Sequence, residues 1–409
     1  MLKESDNKLL TETGSGTPLG SLMREYWIPV TRAANLIAGE APTRLTILGE
    51  KLVAFRSPEG VVGVMNEACP HRGASLALAR NEECGLRCIY HGWKFAPDGR
   101  LIEAPTHPED APIETMRTGA YAVREQQGMI WAWLGKGEAP VFPRLAFTDL
   151  PESHVLAATA VINCSWIHPL ETLWDVFHAQ ILHNQTNRSS VRAGAYFSQE
   201  DQRMAGDIPF NYPEMSAHRT NYGFTHVNSD SAKETHFHFI MPFMQHHTVT
   251  PGERDDMALQ ISVPIDDDHA LLWMVFYNKY GPLKPDGFAM QGFGDLQDPG
   301  NFLSNFPVRT PENRWGQDRE AMKRGESFSG MVGSSILETI FMEDVACIES
   351  QGRLDRSKEL LAPVDIALVE GRKTILDAIS AHQNGEPPLG RDLDLSNVEA
   401  DFRVKTNAA

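Results

Sequence analysis

Two short runs decide the reading: Asn66-Glu67-Ala68-Cys69-Pro70-His71-Arg72-Gly73 and Cys88-Ile89-Tyr90-His91-Gly92-Trp93-Lys94-Phe95. The first is Cys-x-His and the second Cys-x2-His, with residues 72–87 between them. Each pair sets a thiolate and an imidazole on one tight loop, and two such loops can wrap one metal centre. Thiolate with imidazole suits zinc, or iron with sulfide. Zinc modules more often pair Cys-x2-Cys with His-x3–5-His or use four cysteines. Spacing alone leaves both metals open.

The flanks narrow the choice. Pro70, Arg72 and Gly73 follow the first pair; Tyr90, Gly92, Trp93 and Phe95 surround the second. With them the stretch resembles a Rieske domain. That resemblance implies a [2Fe–2S] cluster with Cys69 and Cys88 on one iron and His71 and His91 on the other. A structural zinc loop is the alternative. Short strand-like runs alternate with turns around the two pairs: Leu45–Leu48, Leu52–Phe55, Val61–Met65 and Met129–Leu134, separated by Pro58-Glu59-Gly60 and Pro97-Asp98-Gly99. They predict an all-β unit over 26–136. Arg72, Arg80, Arg87, Lys94 and Arg100 form a local basic rim, read either as ordinary solvated charge or as a docking face for an acidic electron donor.

The chain has 409 residues, room for two domains. Its formal charge of −17 argues against nucleic acid and anionic membranes as partners. Met1-Leu2-Lys3-Glu4-Ser5-Asp6 lacks the apolar core of a secretory signal. No apolar run approaches the ~20 residues of a membrane span. The five cysteines, Cys69, Cys84, Cys88, Cys164 and Cys347, are scattered and odd in number, which fits a reducing cytoplasm.

Beyond Pro140, Pro143 and Pro151 a second domain begins, over 137–409. Residues 1–25 read as a helical segment packing on it, with Thr17-Pro18 as cap and first helical position. Strands are predicted at Val155–Val161, Tyr222–Val227, His236–Pro242, Ala258–Val263 and Leu271–Tyr277. Helices are predicted at Trp166–Leu182, Ser335–Glu349 and Pro363–His382, the last with a stripe of Val364, Leu368, Ile375 and Ile379. Residues 186–218 and 281–330 read as loops.

One helical stretch carries Asp175, His178 and His183. Asp175 and His178 share a face at i, i+3. His178 and His183 lie five apart, about 500° of helix rotation, so both reach one metal only if the helix ends, bends or bulges. Trp166, Glu171, Asp175, His178, Leu182 and His183 resemble the E-x3-D-x2-H-x4-H signature of Rieske non-haem iron oxygenases. Ser165 and His168 depart from the residues frequent around that tryptophan. The resemblance implies an α+β chain. It has a Rieske domain and a catalytic domain whose antiparallel sheet is flanked by helices, a helix-grip (Bet v1/START-like) fold.

The same resemblance implies His178 and His183 as ligands of mononuclear Fe(II), with Asp175 as a bridge from an iron histidine to His91 of a neighbouring copy. The third ligand is sought in Phe341-Met342-Glu343-Asp344, where it implies Asp344, with Glu343 as competitor. Asp6–Gly20, Asn81–Cys88 and Leu354–Leu361 further resemble the phthalate dioxygenase branch. The implied activity is O2-dependent cis-dihydroxylation of an aromatic carboxylate by a homotrimer or hexamer, with NAD(P)H electrons arriving through a flavin/iron–sulfur reductase. Oxidative demethylation or other monooxygenation, and electron carriage alone, are the rivals.

Phthalate-type relatives carry an arginine after Thr-x-Tyr-Gly-Phe. Here Thr220-Asn221-Tyr222-Gly223-Phe224 is followed by Thr225 and His226. That departure speaks against ortho-phthalate and for a monocarboxylated or diaryl acid such as a phenoxybenzoate. Trp174, Phe177, Gln180, Thr225, His236 and His238 are candidates for the substrate pocket, with Arg219 as a substitute cation.

Overall fold

The structure is a computed structural model. It describes residues 2–183, 214–229, 233–248, 257–284, 303, 309–333 and 336–404. Two compact units emerge: residues 13–143 with 263–267, and residues 1–12, 144–262 and 268–409.

The first unit is built of small antiparallel sheets, as its alternating short strands predict. One joins Trp27–Arg32, Met129–Trp133 and Ala122–Gln126; a second joins Thr43–Ile47, Glu50–Arg56 and Val62–Asn66. A third runs Arg80–Glu82, Gly85–Arg87, Lys94–Phe95, Leu101–Glu103. Cys69 follows the last strand of the second sheet. Residues 88–93 form the loop of the hairpin in which Arg87 pairs with Lys94. Val53, Phe55, Met65, Leu76, Leu86 and Phe95 make the core beneath both loops.

The second unit carries an eight-stranded antiparallel sheet. Its order is Val155–Ile162, Ala270–Tyr277, Met257–Pro264, Met244–Thr248, Lys233–Ile240, Gly223–Ser229, Glu214–Arg219, with Asp401–Val404 also pairing with Lys233–Ile240. Helices Ile336–Ser350 and Ile366–Gln383 match the predicted spans closely. Phe341, Val345 and Ile348 recur on one face of the first and bury against Ala158, Ala160, Ile162, Leu272, Met274 and Phe276 of the sheet. That stripe fixes the rotation of the helix and so the direction of its carboxylates. The second helix approaches the core closely at Gly371, where a Cβ would stand 2.6 Å from the Trp174 ring.

The strand Glu214–Arg219 corrects part of the loop expected over 186–218; residues 184–213 lie outside the described set. Its sequence, Glu-Met-Ser-Ala-His-Arg, has no strand propensity. It is an edge strand fixed by its register with Gly223–Ser229, so tertiary pairing overrides the local signal. Within the loop expected over 281–330, residues 285–302 and 304–308 lie outside the described set. The remainder includes a short helix, Arg319–Lys323, capped by the Asp318 carboxylate. The helix expected over Trp166–Leu182 is two pieces, Ile167–Trp174 and His178–Ile181. The chain leaves helical geometry at Asp175 (φ −89°, ψ 75°). Among the described residues no helix is long and apolar enough to cross a membrane.

Candidate metal centres

The Asp175 break positions the second constellation. The Asp175 amide closes the preceding helix by donating to the Glu171 carbonyl at 3.0 Å. Its carboxylate then accepts the Phe177 and His178 amides, each at 3.2 Å, and starts the next turn. His178 Nδ1 bonds the Asp175 carbonyl. The second helix ends after one turn, releasing His183 from the helical spacing that would have turned it away.

Nε2 of His183 and of His178 lie 3.0 and 3.4 Å from Asp344 Oδ1. The three side chains offer donor atoms within 4.8 Å of one another. Glu343, the competitor, points elsewhere. Its Oε2 takes His183 Nδ1 at 2.7 Å and its Oε1 accepts the Ser329 hydroxyl at 2.6 Å. Both Nδ1 atoms are thus engaged by acceptors, which fixes the tautomers and leaves both Nε2 lone pairs facing Asp344.

The donor set fits a cation. Asp344 Oδ1 is buried and makes no aligned hydrogen bond despite its two near nitrogens. Burial pushes both imidazoles towards neutrality, but the Asp344 carboxylate outweighs it and raises them, His183 to about 10. Burial would raise Asp344 itself, yet His183 and His178 hold it well below the usual carboxylate range. Two imidazoles and one carboxylate are the donors of the facial triad that binds non-haem iron. A cleft of about 410 Å³ opens beside them, lined among others by Asp175, His178, Asp344, Phe328 and Leu354.

The two Cys–His loops are near copies in hydrogen bonding. Cys69 accepts from the Gly73 amide (2.8 Å) and donates to Ala74 (2.8 Å); Cys88 accepts from Gly92 (3.0 Å) and donates to Trp93 (2.8 Å). Gly73 and Gly92 sit at φ +73° and +74°, a region only glycine visits freely. The His71 and His91 rings lie 4.4 Å apart. His71 Nδ1 is buried without a partner. Both cysteines are buried, and burial pushes the Cys69 thiol up, so a thiolate there needs a metal to neutralise it. These donors fit a two-iron cluster ligated by two thiolates and two imidazoles.

Other predicted residues are placed differently. The basic rim is internally neutralised: Arg87 and Lys94 pair with Glu82 and Glu103, Arg80 with Glu82, and Arg100 with Asp98. Arg72 lies over the Tyr90 ring. Trp174 is a core residue, its indole N–H donating to Gln245 and its ring set against Phe224 and Phe239. Thr225, His236 and His238 occupy the opposite face of the sheet. Phe224 faces Trp174, and strand alternation turns its neighbour Thr225 away, opposite His238 in register. Arg219 binds Glu370 and Asp377 on the last long helix. Phe177 is half-buried beside Asp175, and the Gln180 side chain lies outside the described set.

His226 entered the sequence reading only as a departure from the phthalate-type arginine, not as a site candidate. It is fully buried, with Nδ1 unpartnered and burial holding it neutral with a pKa of about 3. A histidine two residues from a core phenylalanine in a strand was the available signal.

Two metal-ligand stations on a Rieske-type β unit and a helix-covered antiparallel sheet define an iron-dependent redox protein. Comparison with known proteins agrees. The Rieske [2Fe-2S] domain family matches residues 26–121, and the family described as LigXa C-terminal domain like matches 132–400. The oxygenase subunit of 3-chlorobenzoate-3,4-dioxygenase from Comamonas testosteroni is 36% identical over 96% of this chain and 92% of its own. That of phthalate 4,5-dioxygenase from Pseudomonas putida is 35% identical over 95% and 89%. Among solved structures, Pseudomonas putida CBB5 NdmA (QL mutant, with theobromine) shares the fold at a TM-score of 0.64 and 17% identity, covering 96% of this chain and 99% of that one. The chain belongs to the Rieske non-haem iron oxygenases, in their phthalate dioxygenase-like branch.

Proposed function

We propose that the chain is an oxygenase component that cis-dihydroxylates an aromatic carboxylate. In this reading Cys69, Cys88, His71 and His91 hold the [2Fe–2S] cluster, and His178, His183 and Asp344 hold Fe(II). The observation that carries it is the convergence of three donors beside a cleft: His178 on a short helix, His183 just past its end, and Asp344 on the helix Ile336–Ser350. Iron held by these three residues would supply the activation of O2. The chain's own residues orient and insulate. Glu343 and the Asp175 carbonyl hold the two imidazoles in one tautomer, and Asp175 bridges His178 to the cluster of a neighbouring copy in a homotrimer or hexamer. NAD(P)H electrons arrive through a reductase. Relatives named for 3-chlorobenzoate and phthalate support an aromatic acid as substrate.

With its reductase, NADH and a panel of benzoates and phenoxybenzoates under 18O2, the enzyme is expected to place both labelled atoms in one product. One labelled atom, or release of formaldehyde, would assign it to monooxygenation or demethylation instead.

A second expectation concerns Glu343. Removing an outer partner of a metal-bound histidine typically lowers metal affinity about 10–100-fold. Glu343→Ala should therefore weaken mononuclear iron binding by that factor, read by titration of the iron-depleted site with Fe(II). Glu343→Gln should fall in between, because an amide oxygen still accepts from Nδ1. Unchanged affinity in Glu343→Ala would remove it from the site.

A further inference from the structure

The segment Pro105-Thr106-His107 lies against the second cluster loop and contributes none of the four cluster ligands. Pro105 packs on Gly92, where a Cβ would stand 3.1 Å from its Cγ. The Thr106 hydroxyl accepts the Trp93 indole N–H at 2.8 Å. It also lies 3.3 Å from His107 Nδ1, to which it can donate. The His107 ring stands edge-on to Trp93 at 5.3 Å. Trp93 in turn is stacked on His71, with ring centroids 4.6 Å apart and planes 4° from parallel. A parallel indole on an imidazole requires the indole to be held in plane. The single hydrogen bond from its nitrogen does so from an exposed threonine.

We infer that this strap tunes the reduction potential of the cluster: Thr106 is a positioning residue that keeps the Trp93 face against the metal-ligating imidazole of His71. The inference rests on the cluster assignment above. An indole face is electron-rich and stabilises positive charge near it. The His71 ring is most positive when its iron is oxidised, so the stack favours the oxidised state and lowers the potential. The indole also shields the ring from water, and solvent exposure is one of the factors that set such potentials. Water favours the more negative, reduced cluster, so loosening the indole raises the potential by both routes.

The test is a redox titration of the purified, cluster-loaded enzyme, followed by its electron paramagnetic resonance signal. Wild type, Thr106→Val, Thr106→Ser and Trp93→Phe are compared. Iron, sulfide and the visible spectrum are measured first, so that an error in the cluster assignment shows before any potential is read. The expected result is a positive shift in Thr106→Val, none in Thr106→Ser, and a shift of the same sign in Trp93→Phe that Thr106→Val does not enlarge when combined with it. A Thr106→Val enzyme with full cluster content and an unmoved potential overturns the inference. Loss of the cluster in Thr106→Val also overturns it, because the strap would then retain the metal rather than tune it.

Discussion

Asp344→Ala is expected to leave the Rieske spectrum intact and abolish oxygenation. Metal analysis should fall from roughly three irons per chain to two, with sulfide unchanged at about two. The geometry makes this more than the loss of one donor among several. Asp344 Oδ1 is the oxygen that both Nε2 atoms face, at 3.0 and 3.4 Å. Its neighbour Glu343 cannot take over, being held between His183 Nδ1 and the Ser329 hydroxyl, 2% exposed. Asp344→Glu should fail as well, since an extra methylene drives the carboxylate past the point the two imidazoles define. Mononuclear iron retained at wild-type content in Asp344→Ala would move the ligand assignment to Glu343.

What the sequence made legible follows from what each residue needs locally. The Cys–His loops were readable because a tight metal loop imposes its own spacing and its own glycine, and Gly73 and Gly92 both adopt the required positive φ. The helix of Glu343 and Asp344 was expected at nearly its observed span, but spacing alone did not say which carboxylate faces inward. That depends on Phe341, Val345 and Ile348 finding the sheet. The His178–His183 spacing called for a helix that ends, bends or bulges if both were to reach one metal; the helix in fact ends, and the break begins earlier, at Asp175. The substrate-pocket candidates were chosen by residue type. Residue type does not record which face of a strand looks towards the helices, so Thr225 and His238 were grouped with a tryptophan that lies on the other side. Arg219 was chosen for its charge. The two carboxylates that engage it, Glu370 and Asp377, are about 150 residues further along the chain.

The second large effect is on stability. Glu171→Ala should destabilise the catalytic unit by about 3–5 kcal/mol, the range for breaking a buried ion pair by removing one partner. Glu171 accepts from Arg356 (2.9 and 2.7 Å) and from Arg372 (2.7 Å), and none of the three is more than 7% exposed. Arg372 keeps a second carboxylate, Glu359. Among the described residues Arg356 would keep only Asn7 Oδ1 at 3.3 Å, so it is the guanidinium left uncompensated. Hence the double variant Glu171→Leu/Arg356→Met should recover most of the loss, because it removes the stranded charge together with its partner. Burial would raise the Glu171 carboxyl, but Arg356 and then Arg372 overcome it and bring the pKa down to about 2. A carboxylate with a lowered folded pKa stabilises the fold above its unfolded value near 4.5, and that contribution is lost as pH falls from there towards 2. The gap between wild type and Glu171→Ala in denaturant melts should therefore be level from pH 7 to 5 and begin to close below about 4.5. A gap under about 1 kcal/mol at pH 7 would mean that the two arginines find water or other partners. The Glu171 carbonyl accepts the Asp175 amide, so the clamp also anchors the helix end from which His178 and His183 are launched. Iron affinity should then fall in Glu171→Ala even at temperatures where the unit remains folded.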